Sequence, residues 1–313
     1  MAIRILLNIV TMLTFTIYTD LALASPGDRT DLYGITLSGK LLHFNKTDGS
    51  ATLVKQLPTS IKGHTISSFG PLAVNNGVFI ANTGLSATHP FISFGANAGD
   101  ELWIGSVPQF EYYLGSGLYS FAEVPGRALV GTFLSGFVPL NVNLATFAAS
   151  KDPVVAGGIH STGCSGSGFP YAMSYYNSTT AYSAYLCGSS VVGILKSEFQ
   201  NGSWTKTLDL TLPTNCSDSS HPFVSTGTTI AADPGNSGVL YVAHADTGST
   251  TYLQKLSISG STITCTTLNT VSFGGMTGLA FGPPSSDVPN PRHVSPPSPK
   301  SLLPIRMLMG DKF

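Results

Sequence analysis

The stretch from Gly227 to Gly282 constrains the fold more than any other part of the chain. It reads GTTIAADPGNSG, VLYVAHADTGS, TTYLQKLSISG, STITCTTLNT and then VSFGGMTGLAFGPP. Four short segments alternate apolar and polar residues between Gly, Asn, Asp and Ser turns, the pattern of consecutive antiparallel strands. A fifth segment, Met276-Thr-Gly-Leu-Ala-Phe281, follows with nothing after it to pair with. An unpaired strand leaves a row of backbone N–H and C=O groups without partners, so its mate has to lie elsewhere in the chain.

The first strands supply that mate. Asp31-Leu-Tyr-Gly-Ile-Thr36, a Ser38-Gly39 turn, Lys40-Leu-Leu-His-Phe44, an Asp48-Gly49 turn and Ala51-Thr-Leu-Val-Lys-Gln56 make three strands where the C-terminal repeat has four. Asp-Gly between two alternating runs predicts a type I′ hairpin, because both central residues need positive φ. The same phrase recurs in Ala184–Cys187, Val191–Leu195, Asn201-Gly202 and Ser203–Leu210. It recurs again in Val239–Ala243, Thr251–Leu256, Ser259-Gly260 and Ser261–Thr267. A period near about fifty residues with a hairpin at a fixed place is the mark of a radial or linear array. Radial arrays of four-stranded sheets leave few open edges. The expected fold is all-β: a β-propeller of five four-stranded blades, six being the alternative, closed by pairing of the N- and C-terminal strands.

The middle of the chain is read by alternation alone. Ser67–Val74, Val78–Asn82, Glu101–Gly105 and Gln109–Tyr113 form a second blade. Leu118–Val124, Arg127–Phe133, Val138–Val142 and Ala145–Ala149 form a third. On this reading Asn82 to Asp100 is a long loop, whose Phe91 and Phe94 offer faces for stacking on a sugar ring or pack a small core of their own. Trp103 and Trp204 fall in strands and read as blade packing. No helix of three turns is expected.

Three domains follow. Residues 1–24 read as a secretory signal peptide: Arg4, an apolar run from Ile5 to Tyr18, and Ala22-Leu23-Ala24 as a small-x-small cleavage site. Residues 25–282 form the β-propeller domain. Residues 283–313 are a Pro-rich tail, expected to be extended and disordered because proline cannot donate ladder hydrogen bonds. No later stretch approaches the length of a membrane span. Charged residues make up only 10% of the chain, against about 25% in an ordinary soluble domain, so Ser, Thr, Asn and glycans must do the solubilising. Sequons at Asn45, Asn177, Asn201 and Asn215 are the expected glycosylation sites. Cys164, Cys187, Cys216 and Cys265 lack zinc-type spacing and read as two disulfides. Of the three connectivities, Cys164–Cys187 and Cys216–Cys265 are expected, since each pair lies within one neighbourhood of the repeat. A secreted, extracellular chain is the consistent reading.

The phrases LYGITLSGKLLHFNKTDGSATLVKQLP and GMTGLAFGPP resemble blades of secreted quinoprotein-like and NHL-like β-propellers. The resemblance spans three of the five blades and concerns architecture. No residue matches a catalytic motif of those families, so it implies no active site. A WD dipeptide, a kelch signature, HExxH, a P-loop, a dinucleotide-binding GxGxxG and an EF-hand loop do not occur. Gly163-Cys-Ser-Gly-Ser-Gly168 lacks the spacing and following helix of a nucleophile elbow. Gly235-Asn-Ser-Gly238 fits a hairpin turn.

In such an array the loops joining strand four to the next strand one, and strand two to strand three, emerge at one end. That end is expected to carry His64 and His221 from the first loop type, His89 and His244 from the second, and His160 from the long Lys151–Gly168 connection. Asp100, Asp152 and Asp246 lie in the same set. These longer loops hold more residues of every kind, yet a His/Asp group around an axis can bind a divalent metal or act as acid and base. His64, His89, His160, His221, His244 and Asp246 are therefore the candidate ligand-binding face. No cofactor, catalytic residue or resident metal is expected. With no basic stripe and a net charge of −1, nucleic acid is not an expected partner. The expected function is a secreted glycoprotein binding an extracellular glycan or protein surface. Alternatives are a metal-assisted lactonase-like or glycosidase-like hydrolase, and a structural component of a matrix or wall.

Overall fold

The structure, a computed structural model, describes residues 29–61, 63–75, 77–83, 91–97, 99–104, 120–123, 129–133, 136–143, 148–151, 169–187, 190–201, 203–213, 216, 228–245, 251–271 and 275–284. Every regular element among them is a strand. In chain order these are β1 (Asp31–Thr36), β2 (Lys40–Phe44), β3 (Ala51–Gln56), and a short hairpin of β4 (Ser60–Ile61) and β5 (His64–Thr65). Then come β6 (Leu72–Asn75), β7 (Val78–Asn82), β8 (Phe91–Phe94) and β9 (Leu102–Ile104), followed by β10 (Ser120–Glu123), β11 (Leu129–Phe133), β12 (Gly136–Asn143) and β13 (Ala148–Lys151). β14 (Phe169–Asn177), β15 (Thr180–Cys187), β16 (Ser190–Gln200) and β17 (Ser203–Thr211) precede β18 (Thr229–Ala232), β19 (Val239–Ala245), β20 (Thr251–Ser259), β21 (Thr262–Val271) and β22 (Met276–Gly282).

Five four-stranded sheets result, four of them from consecutive strands: β6 to β9, β10 to β13, β14 to β17 and β18 to β21. The remaining sheet runs β22-β1-β2-β3 and joins the two ends of the chain. In it Leu32 stands opposite Phe281 and Gly34 opposite Leu279, antiparallel.

Successive side chains of a strand point to opposite faces, and here both faces are covered. In β1, Leu32 packs with Ala231, Tyr241 and Leu253 of the fifth sheet, whereas Tyr33 and Ile35 pack with Phe79, Ala81 and Ile92 of the second. In β19, Tyr241 and Ala243 join the first group, while Leu240 and Val242 meet Ala184 and Ile194 of the fourth sheet. Each of these sheets is thus sandwiched between neighbours, which explains the near-continuous apolar run of strands such as VLYVAHA. Aromatic rings fill the seam between the first two sheets, with Tyr33 edge-on to Phe79 at 4.8 Å between centroids.

Turn chemistry matches the sequence in part. Gly39 takes φ 81 and donates its N–H to Thr36 O, in the β1–β2 turn where a Cβ would run into the Phe69 ring. A two-residue loop separates Gln200 from its partner Ser203, and Asn201 there has φ 52, as an Asn-Gly hairpin requires. Asp48-Gly49 departs from the expected type I′ turn. Only Gly49 has positive φ, and Asn45 bonds both Gly49 and Ser50 across a wider turn. Residues 233–238 form the simple β18–β19 turn expected of Gly235-Asn-Ser-Gly238, closed by Asp233 N–H to Val239 O at 2.9 Å.

The second sheet corrects the sequence reading. Its third strand is Phe91–Phe94, expected in a loop, and the segment from Leu102 is its fourth strand, not its third. FISF is buried at every position, so it shows no alternation to mark it as a strand. Phe91 and Phe94 are core residues and present no face to a sugar. Gln109–Tyr113 lies outside the described residues.

Candidate functional site

The first strand of every sheet contacts the first strands on either side, in the cyclic order β22, β6, β10, β14, β18 and back to β22. Inner strands of this kind present an unpaired edge towards the axis, and neighbouring hydroxyls satisfy part of it. Ala232 N–H donates to Ser174 Oγ at 2.9 Å, joining β18 to β14, and Leu279 N–H donates to Thr229 Oγ1 at 2.9 Å, joining β22 to β18. β22 also approaches β6 so closely that a Cβ on Gly278 would meet the backbone of Leu72. Four-stranded sheets packed face to face around such an axis define the architecture. The chain is a β-propeller.

A cavity lies on the axis of the propeller. Leu72, Ala73 and Val74 of β6, Ser174 and Tyr175 of β14, Ala232 of β18, and Leu279, Ala280 and Phe281 of β22 line it, together with Arg29. Its empty space is about 300 Å³, part of it open solvent. Arg29 reaches it from the segment before β1, anchored by Thr30 N–H to Gly282 O at 3.0 Å, and its Nη2 atom is buried. Since β22 ends at Gly282 and β14 at Asn177, the cavity belongs to the end of the ring where the first strands finish. Nothing in the sequence marked Arg29, which precedes the first strand and belongs to no motif.

The expected ligand face is at the other end. His64 lies in β5, within the β3–β6 connection as expected, and is exposed. His244 is a correction: it sits inside β19 and is 1% exposed, with its ring stacked on Tyr252 at 5.2 Å. Strand two runs on to Ala245, and His244 continues the face of Leu240 and Val242, so it is a packed strand residue and not a loop side chain. His89, His160, His221 and Asp246, with Asp152, lie outside the described residues. Among the described residues, no group of three or more His, Cys, Asp or Glu is arranged to hold a metal ion.

Asp100 is corrected as well. It lies in the β8–β9 connection, a third-to-fourth strand turn, and takes part in a buried charge cluster. Lys55 of β3 inserts its Nζ among Asp100 Oδ1 at 2.5 Å, Glu101 Oε1 at 2.7 Å, Gly95 O at 3.3 Å and the carbonyl of Asn97. Asp100 Oδ2 accepts from Asn97 N–H at 3.0 Å. The cluster joins the first and second blades. The sequence reading missed it, because a lone lysine in an alternating strand looks like a solvent-facing residue.

Three sequons share one end. Asn45 is in the β2–β3 turn and Asn201 in the β16–β17 turn, both third-to-fourth strand turns, and both are exposed. Asn177 ends β14 at a first-to-second strand turn, and its Oδ1 accepts from Thr179 N–H at 2.9 Å. Strands alternate in direction, so these two turn types emerge together, opposite His64. Asn215 lies outside the described residues. Cys216 and Cys265 form a disulfide across a sequence separation of 49, tying the β17–β18 connection to β21. Cys187 is also disulfide-bonded, while Cys164 lies outside the described residues.

No family model and no curated protein sequence matches the chain. Solved structures do resemble the propeller. A nidogen/laminin complex matches with TM-score 0.46 and 11% identity, covering 80% of this chain and 98% of that one. A putative 6-phosphogluconolactonase from Bacteroides uniformis matches with TM-score 0.42 and 12% identity over 79% and 84%. TolB from Acinetobacter baumannii matches with TM-score 0.38 and 15% identity over 82% and 57%. At these values the likeness is one of fold and carries no argument about function.

Proposed function

We propose that this chain is a secreted, glycosylated propeller of five blades, closed by the pairing of β1 with β22, that binds an extracellular glycan or protein surface. One observation carries the reading of the face: Asn45, Asn177 and Asn201 all sit in turns at the same end. A hydrated glycan excludes large partners from the surface around it, which leaves the opposite end as the docking face. His64, His89, His160, His221 and Asp246 are its candidate contacts, and buried His244 supports the strand beneath them. Disulfide bonding and the leader fit an oxidising, extracellular setting. No helix among the described residues is long and apolar enough to cross a membrane.

The test is a glycan wedge. Gly63→Asn places a new sequon at the β4–β5 turn, because His64 and Thr65 already supply its second and third positions. A Cβ there meets nothing within 4 Å. Asparagine is also among the residues that tolerate the positive φ found at this position. Wild type and variant, both secreted from eukaryotic cells, are compared on a glycan array and on immobilised extracellular matrix proteins. Binding lost in Gly63→Asn and retained in Asn45→Gln/Asn177→Gln/Asn201→Gln supports the face. Binding indifferent to the wedge contradicts it.

A further inference from the structure

We propose that the Lys55, Asp100 and Glu101 cluster is a modification site, where the Lys55 amine and the Asp100 carboxyl condense into an amide that staples the first blade to the second. The cluster is buried between two sheets and owes nothing to the docking face. Its three side chains are 4%, 1% and 8% exposed. The Phe94 ring closes one side, its centroid 6.0 Å from Nζ. Nζ stands 2.5 Å from Asp100 Oδ1 and 2.7 Å from Glu101 Oε1. The Asp100 carboxyl carbon is one C–O bond beyond Oδ1, close to the near-attack range of about 3–3.5 Å. Asn97 clamps both reactants: its carbonyl accepts from Nζ, and its N–H donates to Asp100 Oδ2 at 3.0 Å. A nucleophile, an acceptor carboxyl, a second carboxylate and an N–H on the far oxygen thus meet in one dry site.

Two protons must leave the nitrogen for the bond to form. One passes along the Nζ–Oδ1 contact, which turns ammonium and carboxylate into amine and carboxylic acid and removes a charge separation that burial penalises. Gly95 O, 3.3 Å away, and Asn97 O then accept the two amine N–H bonds, which leaves the lone pair for the carboxyl carbon. Nζ attacks Cγ, and the charge that develops on Oδ2 falls on the Asn97 N–H, in the manner of an oxyanion hole. Glu101 takes the second proton from nitrogen and delivers it to Oδ1. The Nζ–Cγ bond forms, the Cγ–Oδ1 bond breaks, and Oδ1 departs as water. Glu101 ends as it began, nothing is oxidised or reduced, and the third proton remains as the amide N–H. Reactants held in this way reach effective concentrations on the order of 10⁵–10⁸ M, which lets an unactivated carboxyl react without an enzyme. The same oxygens also hold the ammonium through its three N–H bonds, so proton loss is infrequent and the reaction slow. Newly made protein therefore carries the ion pair, and the amide accumulates with age.

The experiment is peptide mapping of the full secreted protein, freshly purified and after weeks of storage below its unfolding midpoint. Trypsin and chymotrypsin are used together, because Phe69, Phe79, Phe91 and Phe94 give cuts between Lys55 and Asp100. Stored wild type is expected to yield a branched peptide holding both residues, one water lighter than the sum of its arms, with Lys55 resistant to trypsin. Lys55→Arg keeps the cation and should yield none. Glu101→Gln should slow accumulation by about a hundredfold, the scale of a lost general acid–base group. Unfolding midpoints measured alongside show whether each variant keeps an intact propeller. Absence of the branched peptide from stored wild type would overturn the site, whatever the variants do. A branch at Glu101 would overturn the assignment of Asp100 as acceptor, and equal accumulation in Glu101→Gln and wild type would overturn the role of Glu101.

Discussion

Lys55 and Asp100 form an ion pair that crosses from the first blade to the second with almost no exposed surface on either side chain. Glu101 lies on the same ammonium, so one cation faces two carboxylates in the interior. Removing one partner from such a group leaves charge uncompensated, which typically costs about 3–5 kcal/mol. Lys55→Met, which keeps the aliphatic stem, should therefore lower stability on that scale in chemical denaturation. The triple variant Lys55→Met/Asp100→Asn/Glu101→Gln should recover most of the loss. A Lys55→Met protein as stable as wild type would show that the cluster does not join the blades.

The Cys216–Cys265 bridge closes a long loop between the fourth and fifth blades. With a separation of 49 residues, the chain-entropy model assigns it about 4 kcal/mol. Cys216→Ala/Cys265→Ala should lower the denaturation free energy by that order while preserving strand content by circular dichroism. An unchanged midpoint would mean that the unfolded chain is already confined near that connection.

Much of the ring was legible from residues that punctuate it. Gly39, Asn201 and Gly260 mark turns because each takes a positive φ that most residues resist, and the alternation between such turns placed the first, fourth and fifth sheets. The failures share one cause, burial on both faces. Phe91–Phe94 carries one polar residue, Ser93, which is itself buried, so no alternation of apolar and polar faces reveals the strand, and His244 looked like a loop residue because a polar side chain closed an otherwise apolar run. Lys55 was invisible for a different reason. Its role depends on what the second sheet brings to it, and no local pattern records that.

Tyr241 gives the propeller an alkaline limit. Burial, with the Asp233 charge second, pushes its hydroxyl up to about 12, and that hydroxyl donates to Lys46 O at 3.4 Å. An unfolded tyrosine titrates near about 10, so the folded state holds the proton more tightly. The resulting stabilisation is fully present below about pH 10 and is lost as the pH rises through about 12. Thermal unfolding should show Tyr241→Phe losing less stability than wild type between those values. Identical pH profiles would exclude Tyr241 as the source.

A closed ring requires its last strand to complete its first sheet, and the most direct measurement removes that strand. Chains ending at residue 275 and at residue 284 are compared with the full chain by thermal unfolding. Residue 284 is chosen because Tyr33 donates its hydroxyl to Pro283 O at 2.8 Å, a bond that an earlier cut would delete. The chain ending at 284 should unfold cooperatively at the same midpoint as the full protein. The chain ending at 275 leaves the inner edge of β1 unpaired and β6 and β18 without their shared neighbour, and it should show no cooperative transition. Equal midpoints for the two truncations would contradict the closed propeller.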